Sequence, residues 1–374
     1  MNKIIPLYDR SRVVADWFCP RKRYWNYEHE GKGIVKATSS LELFTGTTIH
    51  DALAYIAKGT KEGTGVDIDL LAATAFKQMH DALLSAGAGE VGVRDFAAEQ
   101  ASLVEGLIRG FWKHVWPRLI EQYPNILYVE EEMEYAHDGL VFMSKPDLIL
   151  GNDEQVVYIE YKSTSSKKDT WINSWDTAVQ LHSTCRAVET TTGTKVDAVI
   201  VQGLYKGYES YGKQSSPFCY AYKRHGTPPF SHDEVAYEYK SGFKRYPTWE
   251  LSGGVKEWVE KMPVTVLTNQ FPQTPPIFIN EDLVDSFFAQ RATREAEIED
   301  FKSIERQSGI PWGPYMLNKT FPQRFDQCMP GWGRPCEYRK LCHGSVDDPF
   351  SEGFEYRTPH HARELDAREA PTED

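Results

Sequence analysis

The sequence lacks the long apolar segments that cross membranes. No stretch of its 374 residues approaches the roughly 20 consecutive apolar residues that a membrane-spanning helix needs. The first 20 residues also contain no long apolar run of the kind found in signal peptides. We therefore expect a cytoplasmic protein with no membrane partner.

Positive charge is also scarce. Lys and Arg number 42 against 54 Asp and Glu, which gives a formal net charge of −12. This balance excludes a protein that coats nucleic acid with its whole surface, but it allows a local basic groove. Apolar residues make up 41% of the chain, so we expect a folded core and exclude a disordered chain.

The chain has no internal repeat and no Walker-type phosphate loop. Helical periodicity is clear at 45–58 and 95–122, before a region rich in β-branched and aromatic residues. There the predicted strands are 127–135, 140–150 and 156–162, with hairpin turns at HDG and GNDEQ. A helix at 174–190 and a buried strand at 196–205 follow. The order helix, three-strand meander, helix, strand predicts a small α/β core.

Two carboxylates and a lysine are placed to meet in this core. Side chains alternate along a strand, so Glu160 and Lys162 point to the same side, and Asp147 on the preceding strand can lie beside Glu160. Clustered carboxylates suit a hard cation such as Mg²⁺ or Mn²⁺. A nearby lysine can orient water and stabilise negative charge in phosphodiester hydrolysis. An isolated Glu-x-Lys is more often a solvated ion pair, so its context decides the interpretation.

That context resembles the PD-(D/E)XK nucleases. Pro146-Asp147, twelve further residues and then Glu160-Tyr161-Lys162 resemble the superfamily motif, and GTTIHDAL resembles the histidine motif of its RecB-like branch. Thr184 stands where that branch usually has an aromatic residue, four positions after its glutamine. The resemblance implies a PD-(D/E)XK nuclease core and a Mg²⁺- or Mn²⁺-dependent deoxyribonuclease. The catalytic residues that it implies are Asp147, Glu160, Lys162 and Gln180. The metal ligands that it implies are His50, Asp147, Glu160 and the backbone carbonyl of Tyr161.

The six cysteines are few, and four of them form a pattern. Cys328, Cys336 and Cys342 lie within fifteen residues, and Cys19 precedes them by more than 300. Four thiolates can bind zinc or an iron–sulfur cluster, and the paired C-x-x-C of a zinc ribbon is missing. Zinc and free thiols stay open as alternatives at this point. Cys185 and Cys219 stand apart and are interpreted as ordinary buried cysteines.

The one-plus-three cysteine layout resembles the iron–sulfur nucleases of the RecB-like branch, including the AddB nuclease domain, CRISPR-associated four-cysteine nucleases and phage relatives. This resemblance implies a structural 4Fe–4S cluster that joins the two ends of the chain, in a bacterial or phage-infected cell. The spacing between Cys328 and Cys336 is wider than the C-x-x-C usual there. Beside Cys19, the segment RKRYWNY (21–27) suits phosphate contacts and base stacking.

The expected organisation has five parts. They are an N-terminal segment with the first cluster cysteine (1–45), the nuclease core (46–205), inserted strands and helices (206–310), a C-terminal cluster-binding segment (311–349) and a polar tail (350–374). The expected function is an exonuclease on DNA ends or single-stranded DNA, with a helicase or recombination partner. The alternatives are a catalytically weak DNA-end-binding or complex-assembly subunit and a structural zinc protein.

Overall fold

A computed structural model describes most of the chain. The described residues are 7–37, 41–87, 93–137, 140–164, 171–175, 178–206, 219–223, 237–238, 243–247, 254–261, 268, 270–308, 314–329 and 335–358. Within these ranges, no helix combines the length and apolar character needed to cross a membrane.

The protein is a mixed α/β structure, as predicted. Its strands are β1 (Leu7–Asp9), β2 (Ile34–Lys36), β3 (Asn125–Val129), β4 (Met133–His137), β5 (Leu140–Ser144), β6 (Leu148–Gly151), β7 (Val156–Thr164), β8 (Ala198–Tyr205), β9 (Cys219–Lys223), β10 (Tyr237–Glu238), β11 (Phe243–Pro247), β12 (Ile277–Phe278) and β13 (Phe354–Tyr356). Its helices are α1 (Arg10–Phe18), α2 (Pro20–Arg23), α3 (Leu41–Glu62), α4 (Ile68–Ala86), α5 (Val93–Gly110), α6 (Trp116–Gln122), α7 (Val179–Thr192), α8 (Gly254–Lys261), α9 (Glu281–Ser308), α10 (Pro314–Thr320) and α11 (Arg339–Cys342).

A mixed five-stranded sheet forms the centre, in the order β12-β8-β7-β6-β3. The β6–β7 pair is antiparallel, as the GNDEQ turn predicted, whereas β7 and β8 are parallel. A parallel pair requires a crossover connection, and α7 lies in that connection. The sheet therefore places the end of β7 beside the start of α7.

The predicted three-strand meander is wrong in detail, because its first two strands are each broken in two. The segment 127–135 divides into β3 and β4, and 140–150 divides into β5 and β6, around Pro146. Pro146 lacks an N–H group and so interrupts the hydrogen-bond ladder between β5 and β6. Between β3 and β4, Glu130 adopts a left-handed backbone conformation (φ 52°). The halves β3 and β6 join the central sheet, while β4 and β5 form a second sheet with β1.

Alternation along β7 separates two cores on opposite faces of the central sheet. Val157, Ile159 and Tyr161 pack in the large core built with α3 and α5, whereas Tyr158 packs in the core under α7. Glu160 and Lys162 follow Tyr158 in this alternation, so they lie on the α7 face. The fold thus directs the Glu-x-Lys pair away from the larger core.

Buried ion pairs join the first helices to the long helix α9. Arg23 and Glu295 are fully buried, with Arg23 Nη1 2.5 Å from Glu295 Oε1. Asp16 on α1 meets Arg291 at 3.1 Å and Arg294 at 3.3 Å, both on α9. Leaving either partner of a buried pair alone is costly, so these contacts fix α1 and α2 against α9.

The predicted tail from residue 350 is also partly structured. Strand β13 pairs antiparallel with β2, and Phe354 packs on Tyr338 with ring centroids 5.2 Å apart. Arg357 is buried with its guanidinium 4.4 Å from the Tyr27 ring centroid. Because this segment is mostly polar and charged, its composition did not predict that Phe354 and Arg357 pack against the rest of the fold. Residues 359–374 of the predicted tail lie outside the described residues.

Candidate active site

Four predicted site residues line one cavity of about 560 Å³. Asp147 immediately precedes β6, Glu160 and Lys162 lie on β7, and Gln180 lies in the first turn of α7. His50, on α3, reaches this group through Asp147, because its Nδ1 is 3.2 Å from Asp147 Oδ1. The structure therefore brings together the side chains that the sequence motifs selected.

His50, Asp147 and Glu130 form a compact set of metal-ligating atoms. One ligand atom from each lies within 4.8 Å of the other two. Burial opposes the charge of His50, but the Asp147 carboxylate outweighs this effect and raises the pKa of His50. Burial likewise opposes the charge of Asp147, and the neighbouring His50 and Lys162 outweigh it and lower the pKa of Asp147. The site stabilises Asp147 as a carboxylate, which is the form that binds cations.

Glu130 is the site residue that the sequence reasoning missed. It lies in the break between β3 and β4, and Lys145 Nζ is 2.6 Å from its Oε2. Its backbone N–H donates to the carbonyl of Pro146 at 3.2 Å, next to Asp147. A positive φ at a residue other than glycine is strained, and such strain clusters at functional sites. In the sequence, Glu130 is only the first of three consecutive glutamates, so nothing distinguished it.

Glu160 is turned toward Lys162 and Tyr158 and lies outside the compact ligand set. The Lys162 ammonium forms a salt bridge with Glu160 Oε1, and the buried Tyr158 hydroxyl donates to Glu160 Oε2. Burial raises the pKa of Tyr158 well above its ordinary value, and the Glu160 carboxylate adds to the rise. Tyr158 therefore stays a hydrogen-bond donor and orients Glu160.

We predict that Tyr158→Phe impairs catalysis without unfolding the protein. The phenyl ring keeps the packing under α7, but Glu160 loses the donor that fixes its orientation. We expect the cation concentration for half-maximal DNA cleavage to rise about 10- to 100-fold. A cation titration of the cleavage rate measures this, with Tyr128→Phe as the matched control. An unchanged titration would contradict the positioning role.

Tyr161 connects the two strands that hold the acids. Its backbone N–H donates to Asp147 Oδ2 at 2.7 Å, and its ring packs in the large core. This hydrogen bond fixes the second carboxylate oxygen of Asp147, while the first faces His50. The proposed metal contact of the Tyr161 carbonyl stays a prediction.

Gln180 presents an unsatisfied donor to the cavity. Its Nε2 is buried and has no hydrogen-bond partner within the described part of the chain. Thr184, one turn later, is 2.7 Å from Ser144 through the two hydroxyl oxygens. Thr184, which stands where the family usually has an aromatic residue, therefore connects α7 to β5 by a hydrogen bond. Buried unsatisfied donors are rare, so the Gln180 amide is a candidate for binding a ligand oxygen.

The four cysteines of the one-plus-three pattern lie in one region of the fold. Cys336 N–H donates to the Cys328 carbonyl at 3.1 Å, and Arg324 N–H donates to Cys19 Sγ at 3.4 Å. Burial raises the pKa of Cys328, and the nearby thiols of Cys342 and Cys19 raise it further. Among the described residues, however, no three cysteine sulfurs approach within 4.8 Å of one another. Cys185 is buried elsewhere, as expected, and the side chain of Cys219 lies outside the description.

The predicted DNA-contacting role of segment 21–27 is wrong for its two arginines. Arg23 is fully buried against Glu28 and Glu295, and the pKa of Glu28 is held well below its ordinary value because Lys302 and Arg23 outweigh its burial. Arg21 is buried and donates to the carbonyl of Phe321 at 2.9 Å. These guanidiniums hold the fold together and are unavailable to phosphates.

The geometry agrees with the comparison of the sequence with known families. Residues 17–343 match the model of the PD-(D/E)XK nuclease superfamily. The matched range includes the histidine, acidic, lysine and glutamine positions described above, together with all six cysteines. No curated protein matches the sequence.

Proposed function

Because the chain belongs to the PD-(D/E)XK nuclease superfamily, we propose that it is a metal-dependent deoxyribonuclease acting on single-stranded DNA or on DNA ends. The main supporting observation is the compact set of His50, Glu130 and Asp147 beside the Glu160–Lys162 pair. A binding subunit without activity has no need of this combination. A helicase or recombination partner would supply unwinding, since the sequence contains no motor.

The donor set fits a hard divalent cation. His50 offers one nitrogen, and Asp147 and Glu130 offer carboxylate oxygens, which Mg²⁺ and Mn²⁺ prefer. Glu160, also predicted as a ligand, would have to turn from Lys162 and Tyr158 to join them. A cation bound there would neutralise phosphate charge and lower the pKa of water at the site. The lowered pKa of Asp147 keeps this ligand in the carboxylate form that binds cations, which supports the assignment.

The remaining roles belong to Lys162 and Gln180. Lys162 lies next to Glu160, where its ammonium can hold the attacking water and stabilise negative charge as it develops on phosphorus oxygens. The unsatisfied Gln180 amide can donate to a non-bridging phosphate oxygen. We propose that Asp147 holds the ligand set in place through His50 on one oxygen and Tyr161 on the other.

Labelled DNA tests this function. Purified protein with Mg²⁺ or Mn²⁺ should degrade linear single strands labelled at either end, and EDTA should stop the reaction. We expect closed circular duplex to resist cleavage. Equal activity on circular duplex would contradict a requirement for ends or single strands, and no metal-dependent cleavage of any of these DNAs would contradict the nuclease assignment.

We further propose that Cys19, Cys328, Cys336 and Cys342 hold a structural 4Fe–4S cluster. Two N–H groups already point at these sulfurs, from Arg324 to Cys19 and from Trp25 Nε1 to Cys342 Sγ at 3.2 Å, and such donors stabilise cluster thiolates. Zinc would hold four sulfurs about 3.8 Å apart, given Zn–S bonds of about 2.3 Å. Among the described residues no three cysteine sulfurs lie that close, so the metal content of the purified protein decides between zinc and the cluster.

A further inference from the structure

The cavity that contains the catalytic side chains has a second, aromatic wall. Trp17 from α1, Phe142 from β5 and Phe287 from α9 line the same cavity as Asp147 and Lys162. Metal binding and hydrolysis make no use of these three rings. Phe142 is buried and packs with Phe287 and Phe288 in a small core, whereas Trp17 is largely accessible and needs another explanation.

Apolar side chains around this cavity are unusually exposed. Trp17 is 43% exposed, Val14 45% and Leu43 63%, and all three line the cavity. A single exposed apolar residue is ordinary, but a group around one concave site marks a binding surface. The ligand must therefore present an apolar face next to the phosphate that is cleaved.

The Trp17 ring is held in place although it is accessible. Its centroid is 5.6 Å from that of Phe287 at an interplanar angle of 73°, and the Arg291 guanidinium is 5.3 Å from the centroid. Arg291 is in turn paired with Asp16, one residue before Trp17. A ring fixed in advance loses little conformational entropy on binding a flat partner.

We propose that this wall, defined by Trp17, Phe142 and Phe287, is a stacking subsite for one unpaired nucleobase. The inference rests on the proposed function and adds how the enzyme would hold a base of its substrate. A nucleotide bound here places its base on the aromatic wall and its phosphate near Lys162 and Gln180. The volume of about 560 Å³ suits one small ligand. Bases within a duplex are already paired and stacked on their neighbours, so we expect the subsite to take a base from single-stranded or frayed DNA. Stacking is tolerant of sequence, since every base has a π-face.

The experiment compares DNA with and without bases. All proteins carry Lys162→Ala, so that DNA is not cleaved during the measurement. Fluorescence anisotropy with Mg²⁺ present measures their affinity for oligo-dT and for an abasic oligomer of the same length. The variants are Trp17→Leu, which keeps an apolar side chain, and Trp17→Phe, which keeps an aromatic one. Phe96→Leu is the control, because Phe96 is 44% exposed on α5 and does not line the cavity.

We expect Trp17→Leu to weaken oligo-dT binding about 5- to 100-fold and to leave abasic binding unchanged. Trp17→Phe should recover most of the loss, and Phe96→Leu should match the parent. An equal loss for both oligomers would indicate a structural role and overturn the subsite, as would an unchanged preference for bases in Trp17→Leu. If protein with Lys162 intact prefers bases but cleaves no DNA, the subsite stands and the nuclease assignment fails.

Discussion

Asp147→Asn is expected to lower DNA cleavage by at least about 1,000-fold while the protein remains folded. The amide cannot provide the carboxylate charge that the cation and His50 require, and Asp147 contacts His50 at 3.2 Å. Its oxygen can still accept the Tyr161 N–H bond, which is 2.7 Å in the parent, so the local fold is retained. Single-turnover cleavage of end-labelled single-stranded DNA measures the effect.

The controls separate chemistry from folding. Asp153→Asn removes a carboxylate of the same hairpin that is exposed and outside the cavity, so its activity should equal that of the parent. Glu160→Gln and Lys162→Met should match the loss of Asp147→Asn, because the three groups act as one site. Full activity in any of the three, with parental thermal stability, would contradict the assignment.

The acidic hairpin and its partners could be predicted because short-range rules govern them. Alternation on β7 and a four-residue connection between β6 and β7 fix where Glu160 and Lys162 point and which strand pairs with theirs. His50 and Gln180 came from ordered motifs, and the long-range fold confirmed their proximity to the site. Alternation therefore sufficed for the acidic hairpin, whereas His50 and Gln180 depended on the family resemblance.

The parts that escaped prediction depend on tertiary contacts. Glu130 reaches the site through a strained turn between two sheets, and no local pattern encodes that turn. Arg23 looked like a DNA contact because a basic residue beside aromatics is usually exposed. Its burial depends on Glu295, 272 positions later. A single sequence does not show which distant carboxylate neutralises a given arginine.

Cys19→Ala is expected to release the proposed cluster and loosen both ends of the chain. Freshly purified parent protein should be brown and contain about four iron and four sulfide ions per chain. Cys19 is the only one of the four proposed ligands that precedes the nuclease core, so its loss should bleach the colour. The visible absorbance of the cluster measures the loss of colour. Chemical analysis of iron and sulfide measures the loss of the cluster itself. Colourless parent protein with one zinc would overturn the cluster.

The size of the stability effect follows from what else joins the two ends. A cross-link over a loop longer than 300 residues would contribute about 6 kcal/mol if the ends were otherwise free. Here the β2–β13 ladder and the hydrogen bond from the Tyr338 hydroxyl to the Ile34 carbonyl already hold the two ends together. Part of the chain entropy is therefore already lost without the cluster, and the cluster adds less than this value. We therefore expect a fall in Tm of roughly 5 °C and faster proteolysis of both terminal segments, with the central sheet intact.

Cys185→Ala, at a buried cysteine away from the proposed ligands, should keep the colour. A brown Cys19→Ala protein of unchanged stability would show that Cys19 is not a ligand.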